Sequence, residues 1–303
     1  MSAGIRLDGK VAIVTGAGRS LGRSYALALG AAGAAVVVND VDAGTAERTV
    51  ADIAGAGGRA VPVIGPVGPT ETADALVAAA VDSFGRLDVL VANAGVLRDR
   101  VLWKMGDDDF DQVLETHLRG SFTTGRAAAV RLREQGEGGR IVLIGSPAGQ
   151  YGSFGQTNYA AAKAGLVAMA RTWSLELARA GITANAVIPT ALSPMTATIP
   201  AYAQVYEDYL ATGDIPAGYR RDHALGTPED VAALIVWLAS DASSGVTGQA
   251  IGIGGDRLTL YAHPAVLRTL DRDGGWSADE IDAAWRGELA ALAQRSGPPD
   301  PGD

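Results

Sequence analysis

Apolar residues along this chain fall into short, β-branched runs separated by longer Ala-rich stretches. The runs lie at 10–15, 35–39, 60–64, 88–92, 140–145, 182–188 and 249–253, and nearly all are continuously apolar rather than alternating. That is how strands covered on both faces read. Between them, windows at 21–32, 43–55, 70–84, 107–133, 159–178 and 228–240 carry helical spacing. Strand, helix, strand repeated in this way predicts parallel strands joined by right-handed crossovers, with helices on both faces. The expected fold class is therefore α/β, a doubly wound, mostly parallel, seven-stranded Rossmann-like sheet. No linker interrupts the pattern before about residue 255, so residues 1–255 read as one domain and 256–303 as a C-terminal extension. In that extension Ser277-Ala278-Asp279-Glu280 is a capping-box pattern, followed by Ile281, Trp285, Leu289 and Leu292 on one stripe. One helix over 277–293 follows, then a polar, Pro-containing tail from Ser296. Such a helix has to bury Trp285, either on its own core or on a partner subunit. The Tyr- and acid-containing segment 199–221 reads equally as a lid and as an irregular connection.

Composition narrows the chemistry. With 303 residues and 48% hydrophobic content a large core is available, and disorder is excluded. The absence of cysteine excludes disulfides, thiolate zinc, iron–sulfur ligation and a cysteine nucleophile. The three histidines, His117, His223 and His263, show no ligand spacing, so no metal is expected. A net charge of −9 argues against a nucleic-acid partner. The first ten residues hold no apolar signal run, and no segment has membrane-spanning length; a cytoplasmic location and no membrane partner are expected. Redox chemistry in such a chain requires a borrowed cofactor.

The first run leads into Thr15-Gly16-Ala17-Gly18-Arg19-Ser20-Leu21-Gly22, where a helix opens. Glycines there let backbone N–H groups approach a pyrophosphate, whose charge the helix N-terminus favours. The second run ends at Asp40, a carboxylate placed to accept from the two hydroxyls of an adenosine ribose and to repel a 2′-phosphate. NAD is therefore expected ahead of NADP, although Arg19 in the same turn is a cation that a 2′-phosphate would welcome. Further along, Tyr159 and Lys163 stand four apart at the start of a helix and face the same way. Ser146 ends the fifth run, thirteen residues before the tyrosine. A carbonyl that accepts hydride needs a proton, and the reverse reaction needs a base, which tyrosine becomes only if its pKa near 10 is lowered. A neighbouring ammonium is expected to lower it, while a serine hydroxyl steadies the developing oxyanion.

These residues resemble the short-chain dehydrogenase/reductase family. Thr15, Gly16 and Gly22 fit its T-G-x-x-x-G-x-G turn, with Ser20 in the place of the middle glycine, and Asn93-Ala94-Gly95 matches its N-A-G motif. The resemblance implies a catalytic set of Ser146, Tyr159 and Lys163, with His117 where the family usually places Asn. It implies a cofactor-binding set of Thr15, Gly16, Gly18, Arg19, Ser20, Leu21, Gly22, Asp40, Asn93, Ala94, Gly95, Tyr159, Lys163 and Pro189. Where the family commonly meets adenine with an Asp, this chain has Gly65-Pro66-Val67.

Longer stretches resemble one branch, the (3R)-hydroxyacyl-CoA dehydrogenase domain of peroxisomal multifunctional β-oxidation enzymes and its bacterial relatives. They include the N-A-G-V-L-R-D-R run to Arg100, the H-L-R-G-S-F run from His117, and Tyr151 to Tyr159. The likeness spans residues 5–255 and is loose beyond; no hydratase or sterol-carrier domain is expected to follow. It implies a secondary alcohol, ketone or acyl-CoA substrate, and a homodimer or homotetramer. Pro147 and Ala148 depart from the small hydroxylic residues usual after the serine. Arg98 and Arg100 read either as cations for the phosphates of coenzyme A or as solvated surface. Two other readings stay open: a carrier-protein ketoacyl reductase using NADP, and a non-catalytic dinucleotide-binding regulator, suggested by Ser20, Pro66 and His117.

Overall fold

Strand order places the site. In the computed structural model, which describes residues 4–294, 296 and 297, eight strands form one sheet in the order β3-β2-β1-β4-β5-β6-β7-β8. The elements run β1 (Val11–Val14), α1 (Ser20–Ala31), β2 (Ala35–Asp40), α2 (Ala43–Gly55), β3 (Arg59–Ile64), α3 (Thr70–Phe84), β4 (Val89–Ala92), α4 (Asp107–Leu114) and α5 (Gly120–Gln135). They continue through β5 (Gly139–Ile144), α6 (Ala148–Tyr151), α7 (Thr157–Glu176), β6 (Ile182–Pro189), α8 (Pro200–Thr212), α9 (Ala217–Asp222), α10 (Pro228–Ala239), β7 (Ala250–Gly254), β8 (Arg257–Tyr261) and α11 (Ala278–Ala284). β1 through β7 pair in parallel. Chain direction across the sheet reverses between β1 and β4, which opens a crevice at the carboxyl ends of the strands.

The continuous apolar runs arise because both faces are covered. Ala12, Val14, Val36, Val38, Val89 and Val91 pack on Tyr25 and Leu29 of α1 and on Ile235 and Leu238 of α10. Their neighbours Val11, Ile13, Val37, Leu90, Ile141 and Leu143 pack on Leu76 of α3, Leu132 of α5 and Leu166 of α7. Each Val, Leu or Ile among them, fully buried, contributes about 1.5–3 kcal/mol. β3 closes one edge and is only partly covered; Pro62 fits there because an edge strand can spare a donor.

Four features differ from the expectation. The sheet has eight strands, not seven: β8 turns back antiparallel on β7, beyond residue 255. Its Leu258 and Leu260 are exposed, so it lacks the apolar run that marks the interior strands. The segment expected as a lid or irregular connection forms α8 and α9, held by a small cluster of Leu192, Val205, Ile215 and Leu225 with tyrosines around it. The helical window at 107–133 is interrupted by a π-helical turn, Glu115–Arg119. Finally, the terminal helix is capped by Ser277 and Glu280 as its sequence implies, but it passes at Trp285 into a π turn and then a 3₁₀ turn. Trp285 remains half exposed on this chain. Most of the polar tail expected from Ser296 onward lies outside the described residues.

Candidate active site

The turn after β1 is built to bring backbone close to a ligand. Thr15 Oγ1 accepts from the N–H of Asn93 (2.9 Å) and of Ala94 (3.0 Å). Asn93 Nδ2 returns the bond to Thr15 O (2.9 Å). The N-A-G segment is thereby stitched to the turn across the switch point. Gly22 has no room for a side chain, since a Cβ would lie 2.1 Å from the carbonyl oxygen of Gly16. Ser20 holds a φ of 49°, the left-handed conformation that glycine adopts at no cost. Asp40, buried at the end of β2, accepts from the N–H of Gly18 (2.9 Å) and of Asp42 (3.1 Å). It anchors the turn and still lines the crevice with Val41.

The crevice is a cavity of about 660 Å³ running from Asp40, Gly65 and Pro66 to Tyr159, Lys163 and Met195. Arg19, Ser20, Leu21, Gly22, Asn93, Ala94, Gly95 and Pro189 also line it, whereas Thr15 and Gly18 support the turn from behind. His117 lies at the Tyr159 end because Gly95 has no side chain: a Cβ there would sit 2.2 Å from the imidazole Cε1. The ring meets Tyr159 edge-on at 5.2 Å between centroids. Its Nε2 lies 2.8 Å from the carbonyl oxygen of Val96, and its buried Nδ1 has no hydrogen-bond partner among the described residues.

Lys163 Nζ donates to the carbonyl of Ile144 at 2.5 Å and stands 5.4 Å from the Tyr159 ring. Burial pushes this amine down to about 7. Burial also pushes the Tyr159 phenol up to about 12, against a hydrogen bond with Ser146 that lowers it. The expected lowering of the phenol by a neighbouring ammonium is thus not met in the protein alone: burial raises the phenol, and the group that pulls against it is Ser146 rather than Lys163. Ser146 also accepts from the N–H of Ala148 (3.2 Å). Arg98 and Arg100 are exposed on the loop that follows Gly95.

Sequence reasoning gave no site role to Met195, whose sulfur is 4.0 Å from the Tyr159 hydroxyl, or to Asn39, whose amide donates to Val63 O and Gly65 O at 3.0 Å each, although both lie in stretches that carry the family likeness. It also missed Asn158. A buried amide carries no pattern of its own; only the position beside Tyr159 marks it.

Burial, assisted by the charge of Lys163, pushes His117 down to about 3. The unfolded chain protonates this histidine near pH 6.5, so its contribution to stability is intact above that pH and is lost as the pH falls toward 3. One proton is worth roughly 1.4 kcal/mol per pH unit in that window. Urea unfolding of wild type and His117→Asn from pH 7 to 4.5 should show the wild type losing stability faster. Parallel curves would refute the burial argument.

The geometry agrees with what comparison shows. The family model described as enoyl-(acyl carrier protein) reductase matches residues 16–255. Hydroxyacyl-CoA dehydrogenase ChsB1 of Mycobacterium tuberculosis is 40% identical over 297 residues, covering 94% of this chain and 90% of that protein. Peroxisomal multifunctional enzyme type 2 of Mus musculus is 40% identical over 250 residues, which are 80% of this chain and 31% of the larger enzyme. A crystal structure of a short chain dehydrogenase from Mycobacterium avium has a TM-score of 0.82 and 34% identity, covering 98% of this chain and 99% of that one. With the phosphate-approach turn, the N-A-G stitch, and Tyr159 and Lys163 on one cleft with Ser146 hydrogen-bonded to the tyrosine, this chain belongs to the short-chain dehydrogenase/reductase family of oxidoreductases.

Proposed function

We propose that the protein is an NAD-dependent dehydrogenase that interconverts a secondary alcohol and a ketone, with a 3-hydroxyacyl-CoA thioester as the substrate class. The observation that carries this reading is that Tyr159 and Lys163 close one end of a cavity whose other end is Asp40. A dinucleotide fits the chain's own features: glycine backbone where a Cβ would collide, a carboxylate at the ribose end, and no side chain intruding from Gly95. Arg19, Ser20, Leu21 and Gly22 would hold its pyrophosphate, Asp40 its ribose, and Asn93, Ala94, Gly95, Lys163 and Pro189 the nicotinamide half.

A bound dinucleotide would supply the hydride chemistry at the carbinol or ketone carbon. Tyr159 moves the matching proton at its phenolic oxygen, taking it from the alcohol on oxidation and giving it to the ketone oxygen on reduction. Ser146 hydrogen-bonds the same oxygen, and Lys163 steadies the phenol from one helical turn away. His117, neutral at any physiological pH, presents its unpartnered Nδ1 to a water relay toward Lys163. The acyl-CoA assignment follows the name of the Mycobacterium tuberculosis relative above, a hydroxyacyl-CoA dehydrogenase, and Arg98 and Arg100 are assigned to the phosphates of coenzyme A.

Among the described residues no helix is long and apolar enough to cross a membrane. We place the protein in the cytoplasm, as a homodimer or homotetramer, with residues 1–255 as its catalytic domain and 256–303 as an extension. The test is turnover of NAD and of NADP with a panel of 3-hydroxyacyl-CoA thioesters and simple secondary alcohols. NAD reduction with the thioesters is the expected result. NADP preference would favour the carrier-protein reductase reading, for which Arg19 speaks, and binding without turnover would leave the regulator.

A further inference from the structure

We propose that Asn158 is a positioning residue that fixes Tyr159 against the wall of the cleft; this rests on the reading of Tyr159 as the proton-transfer group. The first N–H groups of a helix have no partner within it, and the N-cap of α7, Gln156, supplies no side-chain bond. The N–H of Tyr159 is one of these. It is taken by Asn158 Oδ1 at 2.8 Å. The same side chain, fully buried, donates through Nδ2 to the carbonyl of Arg98 at 3.0 Å and to that of Asp109 at 2.9 Å.

Those two carbonyls belong to different walls. Arg98 follows Gly95, Val96 and Leu97, which line the cavity from the end of β4. Asp109 lies in the first turn of α4, the helix that leads through Gln112 and Thr116 to His117. One short amide thus ties the backbone of the tyrosine to the loop beside the nicotinamide end and to the helix that carries the imidazole. Only a side chain with one acceptor and two donors on a single sp² centre satisfies all three groups. Aspartate brings no donor when ionised, serine brings one, and alanine none.

The consequence is catalytic rather than merely structural. A displacement of the phenol by an ångström costs on the order of 10²-fold in rate, because the proton and the hydride must move between positioned atoms. Asn158→Ala should therefore lower kcat by roughly 10²-fold. Dinucleotide affinity, measured by fluorescence titration, should change little, because Asn158 does not touch the phosphate turn. Asn158→Asp adds a diagnostic readout. Its protonated carboxyl restores one donor, so the ratio of variant to wild-type kcat should rise as the pH is lowered and the buried carboxyl takes up a proton.

Each variant is counted by bound dinucleotide, so that loss of folded protein is not read as loss of rate. A kcat within about twofold of wild type in Asn158→Ala would overturn the proposal, since misplacement of the phenol must cost far more. If the alanine variant does not fold, the aspartate variant decides: a pH-independent ratio overturns the proposal and a rising one supports it. Tyr159→Phe, run alongside, separates the two ideas. If that variant keeps its activity, the reading of Tyr159 is wrong; if it is inactive while the Asn158 variants are not, only the positioning role fails.

Discussion

Tyr159→Phe should reduce turnover by roughly 10³-fold in both directions, within the range that positioned acid–base groups contribute. The change is small in every other respect. Phenylalanine keeps the ring that meets His117 edge-on, and the backbone bond to Asn158 is untouched. Dinucleotide binding should persist, since the phosphate turn and Asp40 lie at the opposite end of the cavity. The direction of the phenol's displacement adds a pH signature. With the phenol pushed up to about 12, the neutral form that donates a proton dominates at neutral pH. Ketone reduction should therefore be favoured toward low pH and alcohol oxidation should rise with pH, because only the deprotonated phenol accepts a proton. Wild-type oxidation that is flat from pH 6 to 10, or a phenylalanine variant that retains a tenth of the rate, would remove Tyr159 from the proton step.

Much of this was legible in the sequence, and the reason is burial. Strands covered on both faces leave continuous apolar runs, and all seven runs became strands, the partly covered edge strand β3 included. The four-residue spacing of Tyr159 and Lys163 on a helix could be read directly because α-helical geometry fixes the facing. What was not legible depends on environment rather than on pattern. β8 alternates Leu258 and Leu260 with polar neighbours at an edge and carries no buried run. The segment from α8 to α9 packs on its own small cluster, Val205 and Ile215 within it and Leu192 and Leu225 outside it, and the stripe of α8, Tyr202, Val205, Tyr206 and Tyr209, is mostly tyrosine, which signals a buried face less plainly than aliphatic residues do. The π turn around His117 widens the helix where its ring turns into the space that Gly95 leaves. The sign of the Tyr159 shift is likewise a property of the enclosure: spacing predicts the ammonium's proximity, while desolvation of both groups is set by residues far apart in the chain.

Asp40→Asn is expected to raise the ratio of NADP to NAD efficiency by two to three orders of magnitude, from the loss of one like-charge contact. A carboxylate and a phosphate about 4 Å apart repel by about 4 kcal/mol at the effective dielectric of a protein surface, roughly a thousandfold in an equilibrium. The amide removes that repulsion and also weakens the acceptance of ribose hydroxyls, so the two cofactors should move in opposite directions. Asp40 is well placed for the test because its carboxylate is buried and fixed by the N–H groups of Gly18 and Asp42. An asparagine can accept from only one of them well and turns an NH₂ group toward the other. A stability loss of about 1–3 kcal/mol is therefore expected beside the change in preference. The two effects separate in one experiment: unfolding reports the strained turn, and the ratio of kcat/KM for the two cofactors, taken on folded enzyme, reports the charge. If the ratio stays within about threefold of wild type, less than 0.7 kcal/mol of discrimination resides in this carboxylate. Choice of cofactor would then rest on Arg19 and the turn around it, and the preference for NAD proposed above would lose its physical basis.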